Sequence, residues 1–344
     1  MLNKYIFSDE QAKHDVVNNA GSKAGKDILC KVKEMQYKPA PIYSAKNNKV
    51  VSLISEFINI NKFASNIKKG DLVLLQYPAT RPILKIANKA LQKRGSRIIY
   101  LIHDIDFLRD VKTHTGTVED MKKQELSILK GADVIIAHNQ SMIKELSKCL
   151  PGKQFVSLDL FDYVYEGVNA QRTDDDSVIV AGNLLEKKAG YIYSLKNQKF
   201  KLNLYGSNLN ESFNNDNAEY KGSFSPDELI PNLKGSYGLV WDGSSAETCE
   251  GSYGRYLKYN NPHKVSLYIA AGLPVIVWKQ SALYPFVAKN GLGFGVNSLY
   301  EIDDLINQQD YELLCNNVEL MQAKVRSGYF ITKALEEAEG LILT

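Results

Sequence analysis

The stretch Asn261-Pro262-His263-Lys264-Val265-Ser266-Leu267-Tyr268-Ile269-Ala270-Ala271-Gly272-Leu273-Pro274-Val275-Ile276-Val277-Trp278 reads as a helix running into a buried strand. Asn261 is a good N-cap, and Pro262 suits the first helical position, where its missing N–H costs nothing. Gly272 can stop the helix and Pro274 discourages its continuation. His263 and Lys264 then fall in the first turn, where a cation opposes the helix dipole. That placement makes sense if an anion sits there, held by Lys264 and the amide groups of the helix end. The other reading is a solvated lysine on an ordinary surface helix.

Outward from this unit, short β-branched runs alternate with longer helical patterns, which predicts stacked βαβ units and an α/β fold with parallel sheets. In the second half the strands are Val178–Ala181, Lys201–Tyr205, Tyr237–Trp241, Val275–Trp278 and a short Phe294–Val296. Ser225-Pro226-Asp227-Glu228 forms a capping box opening a helix through Leu233. In the first half they are a weaker Tyr5–Phe7, then Leu72–Gln76, Arg97–Ile102 and Val134–Ala137, with helices at Ile83–Lys93 and Val118–Lys130. The pattern breaks at Thr173–Ser177, around Asp174-Asp175-Asp176, which reads as a solvated linker rather than a metal site. The expected organisation is therefore two Rossmann-like domains, 1–172 and 177–309, with helices over 310–344 packing back on the first. Ligands of open α/β sheets bind beyond the carboxyl ends of the strands. Two such sheets would turn their strand-end loops toward one central cleft.

Bulk properties narrow the function. With 344 residues, 44% of them hydrophobic and 24% charged, the chain suits two globular domains. A net charge of +3 excludes a general polyanion binder, so no nucleic-acid partner is expected and any basic site is local. Cys30, Cys149, Cys249 and Cys315 are far apart and match no metal-ligand spacing, as expected of free thiols in a reducing compartment. The first residues lack the apolar core of a signal peptide, and no segment approaches the ~20 apolar residues of a membrane span. A cytoplasmic location is expected. Twenty tyrosines and the basic tilt permit peripheral contact with the inner face of a membrane.

The strand-end loops hold the candidate chemistry. Asn18 to Asp27, containing Gly21, Ser22 and Lys23, resembles a phosphate-binding loop, but Ala20 replaces the first glycine and Asp27 the magnesium-binding hydroxyl. It reads equally as a flexible turn before a helix through Met35. Arg97–Ile102 ends in His103-Asp104-Ile105-Asp106, material for a general base. Asp104 and Asp106 also have the Asp-x-Asp form that holds manganese in one class of sugar transferases, or either caps a helix. After Val178–Ala181 come Gly182-Asn183 and then Lys187-Lys188, one of which could reach a phosphate oxygen or simply be solvated. Ser223 and Phe224 precede the capped helix, and the ring suits either a base or the core. Tyr237–Trp241 ends in Asp242-Gly243, followed by the polar connection Ser244 to Asn260, a candidate lid or acceptor loop.

These residues resemble bacterial GT-B glycosyltransferases, in particular the streptococcal glucosyltransferases of serine-rich-repeat adhesins and the related β-1,6-galactofuranosyltransferases. The resemblance rests on Gly238 to Asp242, Asn261 to Lys264 and Ala270 to Val277, with Ala20 to Lys23, Ile102-His103-Asp104 and Pro226-Asp227-Glu228 in order. Asn290 to Gly293 and Arg326 to Phe330 extend it. It implies a UDP-sugar donor bound mainly by the C-terminal domain, no metal or further cofactor, a saccharide acceptor carried on a lipid or protein, and a homo-oligomer. By position, Lys264 and one of Lys187 or Lys188 are implied diphosphate ligands. Asn183, Ser223 and Phe224 are implied neighbours of the uridine, with Ser22 or Lys23 reaching the donor from the other domain. Asp242, Asn261 and His263 complete the implied donor site. One of His103, Asp104 or Asp106 would take the acceptor proton in an inverting transfer. Lysines stand where the adhesin enzymes have an arginine after Gly-Asn, which replaces a fork donor by a point charge. The insertion Gly251–Tyr259 favours a different acceptor and hence the galactofuranosyl branch. Two rivals stay open: a metal-dependent transferase using Asp104 and Asp106, and a non-catalytic nucleotide-sugar-binding partner of another transferase.

Overall fold

The computed structural model describes residues 2–8, 20–41, 49–78, 81–109 and 117–343. The chain forms two α/β units. The first carries a parallel sheet of β1 (Lys4–Ser8), β2 (Tyr37–Pro41), β3 (Leu72–Tyr77), β4 (Arg97–Ile102), β5 (Val134–Ala137) and β6 (Gln154–Ser157), in the order β2-β1-β3-β4-β5-β6. Its helices are α1 (Ala20–Glu34), α2 (Lys49–Ser65), α3 (Arg81–Arg94), α4 (Asp106–Arg109), α5 (Val118–Leu129) and α6 (Gln140–Cys149). The runs LVLL in β3, IIYLI in β4 and VIIA in β5 are wholly buried, as strands covered on both faces must be.

In the second unit a two-residue pairing joins β7 (Gln171–Arg172) to β11 (Lys234–Gly235). The main sheet contains β8 (Val178–Ala181), β9 (Leu202–Tyr205), β10 (Ala218–Gly222), β12 (Tyr237–Val240), β13 (Val275–Trp278) and β14 (Gly293–Val296). All are parallel, ordered β10-β9-β8-β12-β13-β14. The chain winds outward from β8 through β9 to β10, then restarts beside β8 at β12. This reversal leaves a crevice beyond the carboxyl ends of β8 and β12. The helices are α7 (Glu186–Ser194), α8 (Pro226–Asn232), α9 (Gly251–Tyr256), α10 (His263–Ala270), α11 (Tyr284–Lys289), α12 (Ile302–Leu305) and α13 (Tyr311–Ser327), followed by α14 (Tyr329–Leu343).

The division between units differs from the expected one. The first comprises Met1–Val17, Gly25–Leu158 and Ile331–Thr344, and the second Asn18–Ala24 and Asp159–Phe330. The chain therefore changes unit at Leu158, not at the acidic stretch. Asp175 there accepts from the hydroxyls of Thr173 and Ser177, each at 2.6 Å, and so shapes a turn into β8. Helix α13 stays with the second unit because Arg326 reaches Ala270 O from Nε at 2.8 Å and Nη2 at 2.6 Å. Gly328, with φ 79, then ends α13. The segment from Ile331 belongs to the first unit, where Glu339 accepts from the Tyr37 hydroxyl at 2.8 Å and pairs with Lys4.

Candidate active site

The side chain of Tyr268 ties helix α10 to the strand that ends at the crevice. Strands β8 and β12 pair only at Val178 with Tyr237 and Ile179 with Gly238. Beyond that register the buried Tyr268 hydroxyl accepts from Ala181 N at 2.8 Å and donates to Ile179 O at 3.2 Å. The phenol substitutes for the missing ladder bonds. Its ring lies so close to Gly238 that any Cβ there would overlap it.

Lys264 lies one turn before Tyr268 and so shares its face. Its Nζ lies 3.0 Å from Asp242 Oδ1 and 3.3 Å from Trp241 O at the end of β12, with the two charged side chains only 14% and 12% exposed. A Cβ on Gly182, at the end of β8, would stand 3.4 Å from Lys264 Cε, so the lysine stem crosses the crevice against bare backbone. An ammonium has three donors, and these contacts use two. The remaining one, with the first amide groups of α10, suits an oxyanion.

The start of α10 departs from the expected capping. Pro262 occupies the N-cap position and His263 is the first helical residue, so Asn261 lies outside the helix. Its Nδ2 donates instead to Asp159 O at 3.1 Å. His263 Nε2 lies 3.2 Å from Asp162 O, and Ser266 Oγ donates to Phe161 O at 2.6 Å. These polar groups bind the segment 159–162 across the amino half of α10. Asn261 and His263 thus position the helix end through their side chains.

Gly21, Ser22 and Lys23 were expected in a loop and instead belong to the first turns of α1, which begins at Ala20; Asn18 and Asn19 lie outside the described residues. Lys23 belongs to the same unit as Lys264 rather than to the other one. It is buried, donates to Val164 O at 2.6 Å and places Nζ 4.6 Å from the Tyr163 ring centroid. The same ring lies 5.3 Å from that of His263. Two sequence motifs far apart in the chain thus converge on Tyr163, which sequence reasoning did not single out.

Lys187 is exposed in the first turn of α7, whereas Lys188 is half-buried with Nζ 5.6 Å from the Tyr253 ring. The Lys188 carbonyl accepts from Gly243 N at 2.8 Å, which ties α7 to the end of β12. Of the two, Lys188 is the one held by the loop that carries Asp242. Asn183 Oδ1 accepts from Leu185 N at 3.0 Å and Asn208 Nδ2 at 3.1 Å, turning the chain into α7. Ser223 is exposed, and Phe224 leans on Tyr205 with ring centroids 6.4 Å apart. Between them Gly206, with φ 142, approaches the Gly182 carbonyl so closely that a Cβ would overlap it. The carboxyl ends of β8, β9 and β10 thereby form a flat backbone floor beside Phe224, and Gly206 is a residue the sequence reading passed over.

The connection Ser244 to Asn260 is not an open lid. It contains α9, buries Ala246, Cys249, Tyr256 and Leu257, and returns Ser245 O to Trp241 Nε1 at 2.9 Å. Its apolar residues, spaced at helical intervals among serines and glycines, were masked by the polar composition.

In the first unit His103 follows β4, and its Nε2 lies 2.7 Å from Gln76 Oε1. Donation to that amide oxygen makes Nδ1 the basic nitrogen of the neutral ring. Burial lowers the His103 pKa to about 4. Arg109 pairs with Asp104 at 2.9 Å and lies 3.9 Å from Asp106, which puts a guanidinium beside both members of the Asp-x-Asp pair. The buried Glu125, on α5, accepts from Asp106 N at 3.1 Å, Phe107 N at 2.9 Å and the Tyr77 hydroxyl at 2.7 Å. Burial raises its pKa. His138, also unforeseen, directs Nε2 to Ile102 O at 3.1 Å, and burial lowers its pKa to about 3. Among the described residues no group of three or more His, Cys, Asp or Glu is arranged to hold a metal.

Comparison with known proteins matches this architecture. The glucosyltransferase 3-like N-terminal domain model matches residues 5–160, and the corresponding C-terminal domain model residues 178–338. The chain is 33% identical over 332 residues to the β-1,6-galactofuranosyltransferase WbbI of Escherichia coli strain K12, covering 93% of this chain and 94% of that one. Glucosyltransferase 3 of Streptococcus gordonii is 25% identical over 283 residues, 80% of each chain. Among solved structures, Anabaena Alr3699/HepE in complex with UDP-glucose aligns over 100% of both chains with TM-score 0.60 at 13% identity, a likeness of fold. Two domain models in sequence and a full-length relative therefore make the chain a member of the glucosyltransferase 3-like family of GT-B glycosyltransferases.

Proposed function

We propose that the chain transfers a hexosyl unit from a UDP-sugar to a saccharide hydroxyl, with inversion and without a metal, in the assembly of a cell-surface glycan. Galactofuranose is the favoured sugar and glucose the next. The observation that carries the reading is Lys264, held by Asp242 at the crevice where β8 and β12 diverge. The identity to a galactofuranosyltransferase supports the choice of sugar. The diphosphate would lie against Lys264 and the amino end of α10, with Lys188 as a second cation and the uridine over the Gly182–Gly206 floor beside Phe224. The acceptor oxygen attacks the anomeric carbon as its bond to UDP breaks, and the negative charge collects on the departing diphosphate. Fixed dipoles and an ammonium already in place stabilise that charge without reorganising. His103 of the first unit is the candidate for the acceptor proton, since its neutral ring offers a basic nitrogen at ordinary pH.

The test is Lys264→Ala. Transfer should fall by about 10²- to 10³-fold. The stability loss should stay near ~1–3 kcal/mol, the cost of leaving Asp242 without its cation. Full transfer activity in the variant would refute the assignment. Mass spectrometry of products from UDP-galactofuranose, UDP-glucose and UDP-galactose on simple glycosides identifies the donor.

A further inference from the structure

We propose that the α2–α3 face of the first unit docks on an anionic membrane surface. Helix α2 packs beside α3 and turns Val51, Ile54, Phe57 and Ile58 outward, each more than half exposed. Val51, Ile54 and Ile58 follow the i, i+3, i+7 spacing of one helical stripe, and Phe57 flanks it. Lys62 continues the stripe one turn beyond Ile58 and is exposed. The neighbouring α3 presents Lys85, Lys89 and Lys93 at i, i+4 and i+8, all exposed, and contains no acidic residue. Like charges at that spacing repel one another, so the row stabilises neither the helix nor the fold.

The charge is concentrated here rather than spread over the chain. Residues 49–97 contain ten Lys and Arg against two carboxylates, in a protein whose net charge is +3; one of the ten, Arg97 at the start of β4, is paired with Asp133 at 3.0 Å outside this stretch. Both carboxylates, Glu56 and Asp71, are buried. The outer surface is therefore cationic with an apolar stripe in it, and the occupant must supply negative charge and an apolar phase together. A bilayer carrying anionic headgroups does both. A second copy of the same face does not, because an isologous contact would set lysines on lysines with no exposed carboxylate from residues 49–97 between them. Nucleic acid would satisfy the lysines and leave three aliphatic side chains in water.

The experiment is co-sedimentation of the full chain with phosphatidylcholine vesicles and with vesicles containing about one-third phosphatidylglycerol, at roughly 0.1 M salt. The wild type should partition to the anionic vesicles alone. Ile54→Gln with Phe57→Gln, and separately Lys85→Glu with Lys89→Glu and Lys93→Glu, should each weaken partition by about tenfold or more. Melting temperature and donor hydrolysis in solution should be unchanged, since every altered side chain is exposed and outside the donor site. Equal partition to both vesicle types, or none, would overturn the proposal. So would full partition by the glutamine variant, or a solution dimer that this variant dissolves.

Discussion

His103 sits where β4 ends, with Gln76 fixing one ring nitrogen and a buried setting that disfavours the imidazolium. A depressed histidine pKa means the ring stays neutral until the pH approaches about 4, well below the ordinary 6.5. If this nitrogen takes the acceptor proton, the acid limb of the transfer rate should lie near pH 4–5, rather than between 6 and 7. His103→Asn should lower the rate by about 10²- to 10⁴-fold and abolish that limb. A limb that persists in the variant would move the role to another group. Asp104 and Asp106 are weaker candidates because the Arg109 guanidinium already occupies their neighbourhood. The sequence places all three residues correctly at a strand end. It does not reveal Gln76, Arg109 or Glu125, whose parts depend on contacts across the sheet.

At the scale of elements, the crevice proposed to take the donor depends on how α10 is seated on the sheet, and Tyr268 ties that helix to β8. Tyr268→Phe removes the acceptor of Ala181 N and leaves a buried amide unsatisfied, which should cost about 1–3 kcal/mol. The helix bearing Lys264 would also lose its register, so KM for the donor should rise more than kcat falls. A variant that melts lower yet binds donor normally would show that the hydroxyl matters for folding alone. The same elements show what periodicity can reveal. Strands β3, β4, β5, β8, β12 and β13 were evident as continuous apolar runs because neighbours or helices cover them throughout. Five strands are not legible in the sequence: the two-residue β7 and β11, and, within the two main sheets, β2, β6 and β10, all three of which are edges. β2 carries Pro39 and Pro41, which an edge tolerates, and β10 buries almost nothing. The capping box of α8 was legible because it is local: Glu228 accepts from the Ser225 hydroxyl at 2.7 Å. The true cap of α10 was not, since Asn261 is drawn away by Asp159, some hundred residues earlier.

For the molecule as a whole, acid should be destabilising through two histidines of the first unit. His103 and His138 hold their protons weakly in the native state, near pH 4 and 3, while an unfolded histidine titrates near 6.5. The unfolded chain therefore binds more protons throughout that interval. Stability contributed by the neutral rings is complete above pH 6.5 and is lost progressively as the pH falls toward 4. Glu125 acts in the opposite sense, because its raised pKa lets the native state take up a proton more readily than the unfolded one. Two largely shielded imidazoles outweigh one carboxyl whose shift is offset by three hydrogen bonds, so the net loss should be on the order of a few kcal/mol. Thermal melts at pH 7.5, 6 and 5 would measure it. His138→Gln should lower the melting temperature at neutral pH, where the Ile102 contact is weakened, yet reduce the further drop on acidification. If wild type and variant lose the same amount between pH 7.5 and 5, the acid sensitivity arises elsewhere and the proton linkage assigned to His138 is wrong.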